Sequence, residues 1–217
     1  MASRLEALWP LWQLRLRLGP LELRLPTDED LATLVDVARQ GVHPPDRMPF
    51  LTPWTLAPSP TFERSFLQHH WRLRADWSPQ GWHLDLGVSY EGQLVGCQGI
   101  WASEFAVTRA VETGSWLGQR FQGLGIGTTM RTAVLAFAFD HLGALEAHSG
   151  TLPDSPASAI VSRRLLYREN GVAVRSIRGQ RTVEQRYRLT AQDWRALTRP
   201  EVEVEGLAAC RDLFESA

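Results

Sequence analysis

Three glycines at alternate positions, Gly123, Gly125 and Gly127, stand between a strand-like run and a long helical one. Residues 111–118 read as a strand and residues 128–142 as a helix, so the backbone must change from extended to helical within a few residues. A helix that starts there has N–H groups without intrahelical partners, and its dipole stands behind them. Glycine allows positive φ and lets the backbone approach a phosphate oxygen closely. The segment is therefore a candidate anion site, and a tight turn without a ligand fits the same pattern. A dinucleotide fingerprint would need G-x-G-x-x-G in a repeated βαβ array, with an acidic residue about 20 positions on. Glu146 falls near that distance, but the spacing is G-x-G-x-G and only one βα unit is visible.

The surrounding pattern indicates a single mixed α+β domain. Residues 12–18 and 21–25 alternate Leu with Arg or Glu about Gly19-Pro20, as a half-buried hairpin does. Thr27 and the carboxylates after it predict a helix ending at Gly41. Residues 43–60 are rich in proline and carry Met48, Phe50 and Trp54, which suits a loop packed over something. A second helix over 59–77, a hairpin over 83–90 and 93–101, and a short strand over 144–149 follow. A helix over 157–166 and a last hairpin over 172–177 and 182–189 complete the domain. The expected sheet has six or seven strands. One domain spans 1–217, with a core over 12–196 and a partly helical tail over 197–217.

Composition removes several classes. The 217 residues are 44% hydrophobic, enough for one full-sized core. With 23 basic and 24 acidic residues the formal charge is −1, which gives no whole-protein case for nucleic acid or anionic lipid. Every basic residue is Arg, so Lys Schiff-base, P-loop and kinase-type Lys chemistry are excluded. Self-acylation could then reach only Met1 or the residue exposed by its removal. Cys97 and Cys210 are too few for a disulfide framework and read as thiols of a cytoplasmic protein. No run suits a membrane span, and Glu6 interrupts the apolar start without a cleavage site.

Gln122, Gly125 and Gly127 form Q-x-x-G-x-G after the strand Gly114-Ser115-Trp116-Leu117-Gly118. Together with Thr-Asp-Glu-Asp-Leu at 27–31 and Ser155-Pro156-Ala157-Ser158 followed by Val161-Ser162-Arg163-Arg164-Leu165, this closely resembles the GNAT acyltransferase superfamily. The likeness spans about residues 12–196 and is greatest to the branch of ribosomal-protein N-terminal acetyltransferases. Its nearest form is a bacterial subgroup that includes succinyl-CoA users.

The resemblance implies a mostly antiparallel sheet with a splayed central strand pair. Backbone groups of Trp116, Leu117 and Gly118 would pair with the pantetheine arm. The amides of Gln122, Gly123, Leu124, Gly125, Ile126, Gly127 and Thr128 would hold the pyrophosphate, with Ser155 at the position of a cofactor-touching Asn. No metal is implied. The reaction is direct attack of a neutral amine on the thioester, with acetyl-CoA as the first donor and succinyl-CoA as the second. The acceptor could be a protein N-terminus, a Lys side chain or a small amine. A homodimer is compatible with the family, although no pattern here requires one.

For proton transfer the resemblance assigns Ser158 as the acid at sulfur, and helix capping would explain the same serine. Glu112, or Glu104 in the loop before it, is the candidate base, and a solvated surface carboxylate is the plain alternative. Tyr167 occupies the aromatic core position. Leu166 stands where the family usually has Gly, and this departure, with Ser155, keeps open a CoA-binding regulatory protein without turnover. The six histidines read as structural or exposed. Residues 48–54 fall where the family forms one wall of the acceptor site. Arg15, Arg17, Arg72 and Arg74 could meet a succinyl carboxylate or an acidic acceptor. No G-x-S-x-G elbow supports Ser-His-Asp hydrolysis.

Overall fold

The computed structural model describes residues 4–214, so Met1 lies outside the described residues. Strands β1 (Arg15–Leu18), β2 (Leu21–Arg24), β3 (Gly81–Tyr90), β4 (Gln93–Ser103) and β5 (Ala110–Leu117) precede the glycine turn. Strands β6 (Glu146–Thr151), β7 (Arg168–Ile177), β8 (Gln180–Thr190) and β9 (Glu203–Glu205) follow it. They form one sheet in the order β7-β8-β6-β5-β4-β3-β2-β1-β9, and only β5 and β6 run parallel. The sheet thus has nine strands, where six or seven were expected. The tail is part of the same unit: β9 pairs with β1, and Leu207, Cys210 and Phe214 are buried in the main core.

Helices α1 (Arg4–Leu8), α2 (Asp28–Arg39), α3 (Thr61–Ala75) and α4 (Phe105–Thr108) come before the turn. Helices α5 (Ile126–Ala136), α6 (Pro156–Arg164), α7 (Ala191–Ala196) and α8 (Leu207–Cys210) come after it. Helix α2 begins where the sequence signals it. Thr27 Oγ1 accepts from the Asp30 amide at 3.1 Å, and the Asp30 carboxylate accepts from the Thr27 amide at 2.7 Å. Arg24 holds that carboxylate at 2.6 and 2.9 Å, so β2 and the start of α2 are tied together. Helix α5 starts at Ile126, two residues before the expected start, and its last turn widens into a π turn over Phe137–His141.

The two faces of the sheet have different cores. Helix α5 lies on one face against Leu16, Leu23, Leu84, Ile100, Val111 and Ala147. On the other, α2, α3 and the 43–60 loop enclose Leu31, Leu34, Phe62, Phe66 and Cys97, with Trp54 and Trp116 packed against them. Burial pushes the thiols of Cys97 and Cys210 up, the latter to about 12. Among the described residues no helix is long and apolar enough to cross a membrane.

Candidate active site

Strands β5 and β6 pair only through Ala110–Glu146, Val111–Ala147 and Glu112–His148. Beyond that point β5 stays on β4 as far as Leu117, and β6 stays on β8 as far as Thr151. The two central strands therefore part into a V whose vertex is Glu112 and His148. Thr113 Oγ1 closes the vertex on the His148 carbonyl at 3.3 Å. The Gly118 amide donates to the Val95 carbonyl at 2.9 Å, which sets the phase of β5. Alternation in the ladder corrects the expectation for Trp116 and Gly118, whose backbone groups turn toward β4, and leaves those of Leu117, with Ser115, facing the gap. The Leu117 carbonyl there accepts from Gln122 Nε2 at 2.9 Å, and the same amide reaches the Val42 carbonyl at 2.7 Å. Gln122 thus braces the glycine turn against β5 and the end of α2.

The turn lies at the open end of the V. Gly123 and Gly125 have φ of 77° and 84°, and Gly125 is the residue before α5. Among the described residues the amides of Gly123, Leu124, Gly125, Ile126 and Gly127 donate to no carbonyl, whereas that of Gln122 is spent on Gln119 and that of Thr128 on Gly125. No side chain caps α5. Five free donors with the dipole of α5 behind them fit a pyrophosphate. A Cβ at Gly123 or Gly125 would meet nothing within 4 Å, whereas one at Gly127 would make ordinary contact with Val161 of α6 at 3.7 Å.

Helix α6 brings the other predicted residues to the same end. Ser155 is its N-cap residue but makes no capping hydrogen bond. Ser158 lies in the first turn and is not the cap. Its hydroxyl makes no hydrogen bond among the described residues and is half-buried. The helix ends at Arg164, and Leu166 turns the chain with φ of 61°, a left-handed conformation that costs a branched L-residue about 1–2 kcal/mol. Tyr167 is buried in the main core, as its aromatic position predicts.

The opposite face of the V is lined by paired charges. Glu112 accepts from Arg186 Nη2 at 2.8 Å. Arg186 also reaches Glu184 at 3.2 Å, and Arg175 holds Glu184 at 2.7 Å. His148 Nε2 lies 3.2 Å from Glu146. Glu104 sits in the turn before β5, with its amide on the Gln80 carbonyl, outside the strands that part. The 43–60 loop crosses the gap: the Met48 amide donates to Asp154 at 2.9 Å, and Met48 packs on Leu152 and Ile177. Trp54 of this loop stacks on Phe62 and meets Trp116 with centroids 5.6 Å apart. Three of the four arginines expected to meet a carboxylate are engaged elsewhere. Arg15 bonds the Trp12 carbonyl, Arg17 pairs with Glu22 and Glu205, and Arg74 pairs with Asp28.

The acetyltransferase (GNAT) domain model matches residues 20–167, more than half of the chain. The chain belongs to this family. GNAT members with solved structures share the fold. RimJ of Mycobacterium smegmatis, in complex with a CoA disulfide, aligns over 91% of each chain at 18% identity and a TM-score of 0.67. RimL, an alpha-N-protein acetyltransferase of a ribosomal protein solved with coenzyme A, covers 80% of this chain and 95% of its own at 15% identity and a TM-score of 0.64. A GCN5-related N-acetyltransferase from Brucella melitensis covers 85% of both chains at 15% identity and a TM-score of 0.66. As a GNAT domain the protein is an acyl-CoA-dependent N-acetyltransferase.

Two features of this GNAT site have no counterpart in the sequence reading. Asp85 of β3 lies opposite Gly99 and, one strand further, Gly114, and its carboxylate leans over Gly99. His69 and His83 approach it at 3.3 and 3.2 Å, and His70 is next at 4.0 Å. Despite burial, the hydrogen bonds from His69 and His83 hold the Asp85 carboxyl well below the usual carboxylate range. Burial takes His70 from 6.5 down to about 4, against the pull of Asp85. Among the described residues no group of His, Cys, Asp and Glu is arranged to hold a metal ion. The second feature is Arg131 of α5, buried on the other side of the vertex with Nη1 3.2 Å from Ser149 Oγ. It stands within an otherwise apolar stripe of α5, and that misfit was its only sequence signal.

Proposed function

We propose that this GNAT domain moves an acetyl group from acetyl-CoA to a primary amine by direct attack, with a protein N-terminus as the acceptor class. The observation that carries the reading is the alignment of the V between β5 and β6 with the five free amides of the glycine turn. The acceptor class rests on the likeness to RimJ and RimL. Small amines and Lys side chains are the other acceptors, and succinyl-CoA is the other donor.

Each group has a task in this reading. The amides of residues 123–127 bind the pyrophosphate of the donor. The gap-facing backbone groups of Ser115 and Leu117 hold the pantetheine arm as an added strand would be held. Ser158, whose hydroxyl is unengaged, donates a hydrogen bond at sulfur. Glu112, at the vertex on the acceptor face, takes the ammonium proton directly or through water while Arg186 fixes its position. Exclusion of water comes from the 43–60 loop, held across the gap at Met48 and Asp154.

The test is release of CoA from acetyl-CoA and succinyl-CoA in the presence of N-terminal peptides, Lys peptides and polyamines. Turnover with acetyl-CoA and a peptide N-terminus supports the reading, and turnover with succinyl-CoA alone replaces the donor. The uncapped Ser155 and the left-handed Leu166 favour one second reading, a CoA-binding regulatory protein. Tight CoA binding without turnover for any acceptor would select it.

A further inference from the structure

Arg131 brings a permanent charge to the vertex of the V, and the described residues provide no counter-charge. It is 3% exposed, its Nε has no hydrogen-bond partner, and its one hydrogen bond is to the neutral Ser149. Burial draws its guanidinium down, and the group that opposes this is the Tyr167 hydroxyl rather than a carboxylate. The hydroxyl of Tyr167 lies beside Arg131 and Thr113 yet makes no hydrogen bond of its own, and Ser162 Oγ of α6 is likewise buried without a partner. Ser149 follows His148, and Thr113 follows Glu112, the last residues to pair before β5 and β6 part. The charge therefore sits under the point where the strands separate, on the α5 face.

Glu184, also buried, is matched by Arg175 and Arg186, and the Asp85 carboxylate lies within hydrogen-bond reach of His69 and His83. An ion buried alone costs several kcal/mol, so a protein that keeps one has a place for an anion. In acyl transfer one anion must form at the donor end of the gap. We propose that Arg131 is the anion site for the thiolate of CoA, which stabilises sulfur as it leaves. The inference rests on the acyl-transfer reading. The amine nitrogen bonds to the acyl carbon, the C–S bond breaks, and its electron pair goes to sulfur. The ammonium proton passes to Glu112 or water. Sulfur departs as thiolate beside Arg131 and takes a proton from solvent on release. Tyr167 is the titratable group that faces Arg131, and burial raises it above its ordinary value. Glu112, Glu146 and His148 lie on the other face of β5 and β6, and Arg163 and Arg164 end α6 in solvent.

The test compares CoA with desulfo-CoA, which lacks the sulfur, by calorimetry from about pH 6 to about pH 9, across the ordinary thiol range. The wild type should favour CoA increasingly as pH rises, by about tenfold or more, equivalent to a bound thiol lowered by about one unit. Arg131→Met should bind desulfo-CoA like the wild type and lose the pH-dependent preference for CoA, and Arg131→Lys should restore it in part. A wild type without that preference, or a Met variant that keeps it, overturns the inference and leaves the acyl-CoA reading standing. The wild-type comparison needs no variant to fold. If the wild type binds neither ligand, the acyl-CoA reading falls, and the thiolate site with it.

Discussion

The two faces of the parted sheet handle charge in opposite ways. On the acceptor face a chain of ion pairs runs from Arg175 through Glu184 and Arg186 to Glu112, and Asp85 is held by histidines. On the α5 face Arg131 is unmatched, and five amides of the glycine turn have no acceptor. On the face of Glu112 the charges of Arg175, Glu184, Arg186 and Glu112 are paired as folded. The α5 face is complete only with anions in place, which is what a phosphate-bearing thioester would supply. The difference separates a surface that positions from one that awaits its ligand.

Five substitutions, taken from the largest expected effect, bear on that contrast. Gly125→Glu puts a carboxylate and a strained backbone where φ is 84°, and calorimetry should show CoA affinity reduced more than about a hundredfold. Unchanged binding would remove the turn from the site. Glu184→Gln should lower the unfolding free energy in urea by about 3 kcal/mol, because two arginines lose their buried partner. Arg131→Met should cost nothing or stabilise, since it removes a charge the apo protein does not compensate. Equal losses in the two variants would erase the contrast between the faces.

The acceptor face also carries a pH response. His70 titrates at 6.5 when unfolded and at about 4 when folded, so between those values the unfolded chain binds the extra proton. Stability should therefore be full above pH 6.5 and fall by up to about 3 kcal/mol as pH drops to 4. Asp85, depressed below the usual range, stays ionised throughout that window. His70→Gln should flatten the slope in chemical denaturation, and a slope that persists would assign it to another group. The smallest effect is expected at Leu166, which is 44% exposed with φ of 61°. Leu166→Gly relieves about 1–2 kcal/mol of backbone strain and gives back up to about 1 kcal/mol in chain entropy. Thermal unfolding should move up slightly, and a fall would show that the leucine's packing outweighs its strain.

What could be read in the sequence was what local chemistry writes. Thr27 and Asp30 announce the start of α2, the alternation about Gly19-Pro20 announces the first hairpin, and the glycines mark the break before α5. The features that escaped depend on encounters between distant segments. Strand β9 is only Glu203–Glu205, and its pairing arises from the edge that β1 offers. Asp85 and His83 belong to β3, whereas His69 and His70 belong to α3, so their meeting requires the helix to pack on the sheet. The site is similar: the turn was legible, but the ion pair of Arg186 with Glu112 spans 74 residues of sequence. Arg131 differs, because a charged residue beside Met130 and Ala133 is a visible conflict with the apolar pattern. Such conflicts mark function more often than error.

The pairing of β9 with β1 sets a schedule for the chain's synthesis. Arg15, Leu16 and Arg17 are made early and meet Glu205, Val204 and Glu203 nearly two hundred residues later. Until then β1 presents an uncovered strand edge, and the pocket filled by Phe214 stands open. The pairing cannot close before residue 205 has been made, and contacts of such long range close slowly. A nascent copy is thus exposed to edge-to-edge association over the interval between the synthesis of β1 and that of β9, and a chain stopped before residue 203 would keep that exposure permanently.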